Sequence, residues 1–189
     1  TKSARNFWFY IDGEGAWSAT GNSTKQRSKK FSDNQEDVTV EAGMLWHKLI
    51  REDNNLGLKS EITSFVPTNQ DTVELTKVTI TNTGDEERRL TPTAAVPLYG
   101  RSADNLRDHR HVTSLLNRIE TIDNGVVVNP TLSFDERGHK VNDVSYGVLG
   151  ADEKGSNPLG FIPVLEDFIG EGGALDWPEA VVKNLDNFY

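Results

Sequence analysis

Short runs of alternating apolar and polar residues, separated by turn-forming clusters, constrain the fold of this 189-residue chain more than any other feature. Side chains two residues apart lie on the same face of a β-strand, so a run with this period buries one face of a pleated strand. Alternating runs lie at 38–46, 58–66 and 90–98, a dense aromatic run lies at 6–11, and further predicted strands lie at 73–80, 126–128 and 131–134. Turn clusters of Asn, Asp and Gly stand at 12–13, 54–57 and 82–85. The pattern predicts an all-β protein, built as an antiparallel β-sandwich.

The run at 38–46 makes the most specific prediction about the core. Val38, Val40, Ala42, Met44 and Trp46 share one parity, so we expect them to form one buried face of a single strand. The rings of the four tryptophans (Trp8, Trp17, Trp46 and Trp177) are able to stack on sugars, but this parity places Trp46 in the core.

Three further stretches are less regular. The run at 73–80 carries apolar residues on both parities, which predicts a strand buried on both faces or a bulge. Pro92 in the run at 90–98 predicts an edge or irregular strand. The segment 112–119 is interpreted as a loop that passes into a strand, because its neighbours along the chain are all predicted strands.

Charge and composition exclude several classes of protein. The chain has 20 Lys and Arg against 29 Asp and Glu, a net charge of −9. This charge repels nucleic acid and anionic lipid, so we expect neither as a partner. No run approaches the ~20 apolar residues of a membrane span. The absence of cysteine rules out disulfides, a thiolate zinc site and a cysteine nucleophile. No interdomain linker is visible, so residues 1–189 are expected to form one domain.

The densest polar stretch lies at 104–111, directly after a predicted strand. It contains Asn105, Arg107, Asp108, His109, Arg110 and His111. Two histidines at alternate positions are able to ligate a metal, but no second ligand cluster accompanies them, so we expect no metal site. Arginine and imidazole groups also donate hydrogen bonds to sugar hydroxyls or oxyanions. The remaining interpretation is a solvated loop with internal Asp–Arg pairs.

No catalytic residue is predicted anywhere in the chain. Asp12-Gly13-Glu14-Gly15 lacks the Lys-Ser/Thr ending and the following helix of a phosphate-binding loop. The carboxylates at 85–87 lie in a predicted surface turn, and nothing places them across a cleft as a glycosidase pair. No glycine-flanked serine accompanies a His and an Asp in the order that a hydrolase needs.

Several segments together resemble one family. They are Phe9-Tyr10-Ile11 with Trp17-Ser18-Ala19-Thr20-Gly21, Phe65-Val66-Pro67, the stretch 73–82 followed by Arg88-Arg89-Leu90, Phe168-Ile169-Gly170 and the stretch 175–181. Their order and spacing resemble the N-terminal domain of glycoside hydrolase family 94. The resemblance runs from about residue 7 to residue 182. It implies a supersandwich of the galactose-mutarotase-like type, placed before a helical linker and a helical catalytic barrel.

That family comprises inverting phosphorylases, which cleave β-linked glucosaccharides with inorganic phosphate and release glucose 1-phosphate. The resemblance implies a β-linked glucosaccharide as the substrate and inorganic phosphate as the co-substrate of the full-length enzyme, with no other cofactor. It implies the enzyme's own catalytic barrel and a second subunit of a homodimer as partners, and a cytoplasmic location. The barrel is not among these residues, so the chain is expected to be a fragment of a larger phosphorylase.

In relatives of this kind, a loop after the strand at 90–100 reaches the partner subunit's active site and helps to hold the acceptor sugar. Here that loop is 101–111, which makes Arg107 and Arg110 the leading candidates for bonds to acceptor hydroxyls. The sequence from Tyr99 to Leu116 resembles that of the β-1,2-oligoglucan branch of the family. The alternative to this interpretation is a free-standing carbohydrate-binding or structural β-sandwich without catalysis.

Overall fold

The computed structural model describes residues 5–98, 117–135, 138–141 and 143–189. The strands within these ranges are β1 (Asn6–Ile11), β2 (Gly15–Ser18), β3 (Asp37–Gly43), β4 (Trp46–Asp53), β5 (Leu58–Phe65), β6 (Leu75–Asn82), β7 (Leu90–Ala95), β8 (Asn117–Ile122), β9 (Gly125–Pro130), β10 (Leu132–Asp135), β11 (Gly138–Val141) and β12 (Tyr146–Leu149). The helices are α1 (Thr24–Ser28), α2 (Leu165–Ile169) and α3 (Glu179–Val182).

The strand pairs in the described part of the chain are antiparallel, and the helices are one turn or little more. This confirms the predicted all-β, antiparallel class. Two of the predicted turn clusters are also confirmed, because Asn54 to Gly57 and the residues around Gly84 form tight connections between strands.

The chain divides into two compact units. Unit 1 comprises Thr1–Ala95 and Ile169–Leu185, and unit 2 comprises Val96–Phe168 and Asp186–Tyr189. The prediction of one domain over 1–189 stays a prediction.

Unit 1 contains a three-stranded sheet of order β2-β1-β7 and a four-stranded sheet of order β3-β4-β5-β6. Their facing side chains form one buried cluster of Phe9, Ile11, Trp17, Ala19, Leu58 and Ile62. Phe9 and Trp17 contribute a tilted ring pair with centroids 6.3 Å apart. The two sheets therefore pack face to face as a sandwich, and this apolar burial is the main stabilising contribution to the unit.

The aromatic run of β1 is buried on both faces. Phe9 and Ile11 face the second sheet, and Trp8, on the opposite parity, is also fully buried. Helix α3, with Ala180 and Val181 buried, packs against β1 and β2. A strand covered on both sides requires a continuous apolar run, which is what residues 7–11 provide.

Unit 2 contains a three-stranded sheet of order β12-β9-β8 and the hairpin β10-β11. Within β9, the residues Gly125, Val128 and Pro130 are buried. The chain end is tied to the same unit, since Tyr189 donates its backbone N–H to the Phe161 carbonyl at 2.9 Å and its hydroxyl to Asp167 at 2.7 Å.

The prediction of one buried strand from Val38 to Trp46 is wrong. Met44 and Leu45 form a two-residue turn, and Gly43 pairs with Trp46 across it. The turn reverses the chain, so Trp46 lies on the opposite face of the sheet from Val40 and Ala42. All seven residues of β3 are exposed, because β3 is an edge strand and the core lies over β4, β5 and β6.

The stretch 73–80 is neither buried on both faces nor bulged. Strand β6 begins at Leu75, and Val73 precedes it. Val78 and Ile80 pack on the core, whereas Leu75 lies on the exposed face. Pro92 predicted an edge or irregular strand, and among the described strands β7 is indeed an outer strand of its sheet.

Candidate functional site

The predicted acceptor-loop residues Asn105, Arg107, Asp108, His109, Arg110 and His111 lie in the stretch 99–116, outside the described residues. The segment 112–116 lies there too, whereas residues 117–119 belong to β8. Their grouping into a site and their role both stay predictions. The remaining candidate features lie in the described part of the chain.

The titratable side chains of the described ranges do not form a metal centre. Within those ranges, no three His, Asp or Glu side chains are grouped closely enough to hold an ion. In one exposed ion pair, the guanidinium of Arg5 donates to both carboxylate oxygens of Glu74. These hydrogen bonds, with a smaller contribution from His47, lower the pKa of Glu74 below its ordinary value.

A buried ion pair ties the segment before β3 to the sheet. The carboxylate of Glu36, 5 % exposed, accepts from Arg51 Nη1 at 2.8 Å, and Arg51 is 13 % exposed. Gln26 Nε2 donates to both carboxylate oxygens at 2.9 and 3.0 Å, and Trp17 Nε1 donates at 3.1 Å. Protein donors surround the carboxylate of Glu36. The cluster therefore stabilises the local fold and is not an open binding site.

Gln26 reaches that cluster from the short helix α1. The hydroxyl of Ser23 accepts from the Gln26 backbone N–H at 3.1 Å and donates to its side-chain oxygen at 2.6 Å. Ser followed by Gln three residues later is the capping-box spacing, a signal for the start of a helix. The strand-dominated interpretation of the sequence missed this signal, and with it helix α1.

An open depression on unit 1 exposes large apolar side chains. It lies at the end of the outer face of the four-stranded sheet, next to the turn between β3 and β4, and has a volume of about 430 Å³. Its lining includes Leu45, Trp46, Thr63, Phe65, Val66 and Thr68. Trp46 is 40 % exposed and Phe65 is 39 % exposed. Two large aromatic side chains are thus available to a ligand, at a place where the sequence predicted a core.

The fold defines an antiparallel, all-β protein with a β-sandwich in unit 1, and comparison with known families agrees with this class. The family model for the supersandwich domain of glycosyl hydrolase 94 matches residues 7–188. The chain therefore belongs to the glycosyl hydrolase 94 supersandwich family. No curated protein was found to match it. Among the described residues, no helix is both long and apolar enough to cross a membrane.

Proposed function

We propose that this chain is the accessory domain of an inverting phosphorylase that acts on β-linked glucosaccharides. The observation that carries the proposal is the family match, because it extends over residues 7–188 and so covers both units. The same family pairs this domain with a catalytic barrel that cleaves the glycosidic bond with phosphate. The chain itself contributes to acceptor-sugar binding and to dimer assembly.

The finer part of the proposal concerns the loop 101–111. It supplies dimer contacts and part of the acceptor-sugar site, with Arg107 and Arg110 donating to sugar hydroxyls. The proposal includes the β-1,2-oligoglucan branch, inorganic phosphate as the co-substrate, the catalytic barrel and a second subunit as partners, and a cytoplasmic location. It is supported by the chemistry of the loop, since planar guanidinium groups present several donors in fixed directions.

The test uses a longer protein that contains this chain, assayed in the synthetic direction with glucose 1-phosphate and a range of acceptor sugars. Arg107→Ala or Arg110→Ala should weaken acceptor use about tenfold to a hundredfold, since a hydrogen bond from a charged donor is worth roughly 1.5–3 kcal/mol. The apparent affinity for phosphate, measured in the phosphorolytic direction, should change little, because the family places the phosphate site in the barrel.

Arg118→Ala is the matched control, because Arg118 lies on β8 and outside the predicted loop. Parental acceptor kinetics in both loop variants would leave the loop as a solvated segment and refute its role at the acceptor site. Loss of dimerisation together with activity would show that the loop acts through assembly instead. Absence of any oligosaccharide synthesis by the parent protein would favour the free-standing, non-catalytic sandwich.

A further inference from the structure

The outer face of the four-stranded sheet carries three neighbouring apolar side chains: Trp46, Phe65 and Leu75. The proposed phosphorylase role does not involve them. Trp46 is directly opposite Phe65 on the neighbouring strand, and Phe65 is opposite Leu75. All three are exposed. Neighbouring strands are about 4.8 Å apart, so the three side chains form a strip roughly 10 Å long across the strands. We call this strip the aromatic row.

The indole of Trp46 is held against the sheet. A Cβ atom built on Gly43, its partner across the turn, would lie 2.3 Å from Trp46 Nε1 and 2.8 Å from Cε2. The indole therefore occupies the space that a side chain at position 43 would fill. Glycine at this position lets the ring lie down on the hairpin, which fixes its orientation before any ligand arrives.

Polar groups border the aromatic row on the side toward the middle of the sheet. The next residues on the same face are Lys48, Thr63 and Lys77, one on each of the three strands. Thr63 and Thr68 also line the depression. Along each strand, the apolar strip therefore ends after a single residue, and groups that can form hydrogen bonds follow it.

This combination fits a carbohydrate. A pyranose ring has an apolar C–H face, which packs on an aromatic ring, and a rim of hydroxyls, which need polar partners. Nucleobases also stack on aromatic rings, but the net charge of −9 opposes their phosphate backbone. A narrow strip suits an extended chain of sugar rings better than the broad surface of a folded protein.

We propose that Trp46 and Phe65 form a stacking platform that binds consecutive pyranose rings of a β-linked glucan chain. The choice of glucan rests on the proposed function, whereas the platform itself requires only a sugar with an open C–H face. Trp46 and Phe65 supply the stacking surface, and Thr63 and Thr68 donate to or accept from the hydroxyls. Gly43 acts as a positioning residue through Trp46.

The experiment titrates the 189-residue chain with soluble β-1,2-, β-1,3- and β-1,4-linked gluco-oligosaccharides, in separate titrations followed by NMR. The indole N–H signal of Trp46 should shift on addition of at least one of them. Trp46→Ala should weaken binding about tenfold or more, because it removes the main stacking ring. Phe65→Ala should weaken it less. Gly43→Ala should also weaken it, although both aromatic rings remain.

Trp177→Ala is the matched control, because Trp177 is 39 % exposed but lies outside the aromatic row. It should bind as the parent does. Should the Trp46 variant melt far below the parent, transfer of magnetisation from the aromatic protons of the parent to the sugar ring protons provides the same test without a mutation.

The proposal is overturned if no oligosaccharide shifts the Trp46 signal, or if Trp46→Ala binds like the parent. It is also overturned if the parent is a dimer that Trp46→Ala dissociates and that sugar does not affect, since the row would then be an interface between copies. Phosphorolysis by a longer protein, measured separately, distinguishes the two claims. Activity without platform binding refutes the platform alone, whereas platform binding without phosphorolysis refutes the phosphorylase role and leaves the platform standing.

Discussion

At the scale of single residues, the pair Glu36–Arg51 shows how burial changes the effect of an ion pair on the free energy of unfolding. The carboxylate accepts from Arg51, Gln26 and Trp17, and it is 5 % exposed. Removing Arg51 leaves a buried negative charge with only neutral donors around it. The cost of such an uncompensated charge is larger than the stability that the intact pair contributes.

We therefore expect Arg51→Ala to lower the free energy of unfolding by about 3 kcal/mol. Arg27 provides the matched control, since its ion pair with Asp176 is exposed at 3.2 Å. Arg27→Ala should cost at most about 1 kcal/mol. Urea denaturation of the parent and both variants measures the difference. Equal losses in the two variants would show that the Glu36 cluster is not buried as described.

Sequence patterns predict individual residues well when the environment is set locally. The dense aromatic run at 6–11 predicted a strand, and Trp8, Phe9 and Ile11 of that strand are all buried. The exposure of Trp46 was not predictable in the same way. It depends on which residue of the next strand lies opposite, and a shift of one residue moves a side chain to the other face.

At the scale of elements, the β3–β4 hairpin explains the one large error in the sequence interpretation. Hairpin turns usually carry Asn or Gly where the backbone needs a positive φ. Here Leu45 occupies such a position, with φ of 62°. An apolar turn continues the alternating pattern instead of interrupting it, so the sequence reads as one long strand. No local signal marks the reversal except Gly43 just before it.

The two faces of the four-stranded sheet should differ strongly in their contribution to stability. Ile62 of β5 belongs to the buried cluster, whereas Trp46 of β4 lies on the exposed face. Ile62→Ala should lower the free energy of unfolding by about 2–5 kcal/mol, because it removes buried methyl groups and leaves a cavity. Trp46→Ala should cost less than Ile62→Ala, because the indole is 40 % exposed and lies outside the buried cluster.

Thermal and chemical denaturation of the two variants measure this contrast. The sequence interpretation placed Trp46 in the core. It therefore predicts that Trp46→Ala lowers the free energy of unfolding severely, which is the opposite of the result expected here. A Trp46 variant as unstable as the Ile62 variant would restore that interpretation and show that the outer face is covered.

At the scale of the whole molecule, the all-β class and the family could be predicted from the sequence, and both are confirmed. The class follows from the period of two, and the family follows from the order of several short motifs. The candidate platform could not be predicted, because its two aromatic residues lie on different strands, β4 and β5, and are brought together only by the register of the sheet. The role of Arg107 and Arg110 stays a prediction, since their stretch lies outside the described residues.

The central claim is that this domain serves a phosphorylase, and the formation of glucose 1-phosphate tests it most directly. A longer protein containing this chain should release glucose 1-phosphate from at least one β-linked glucan, and only when inorganic phosphate is present. The 189-residue chain alone should release none. Release of free glucose without phosphate, no reaction with any β-linked glucan, or glucose 1-phosphate formed by the chain alone would each contradict the account.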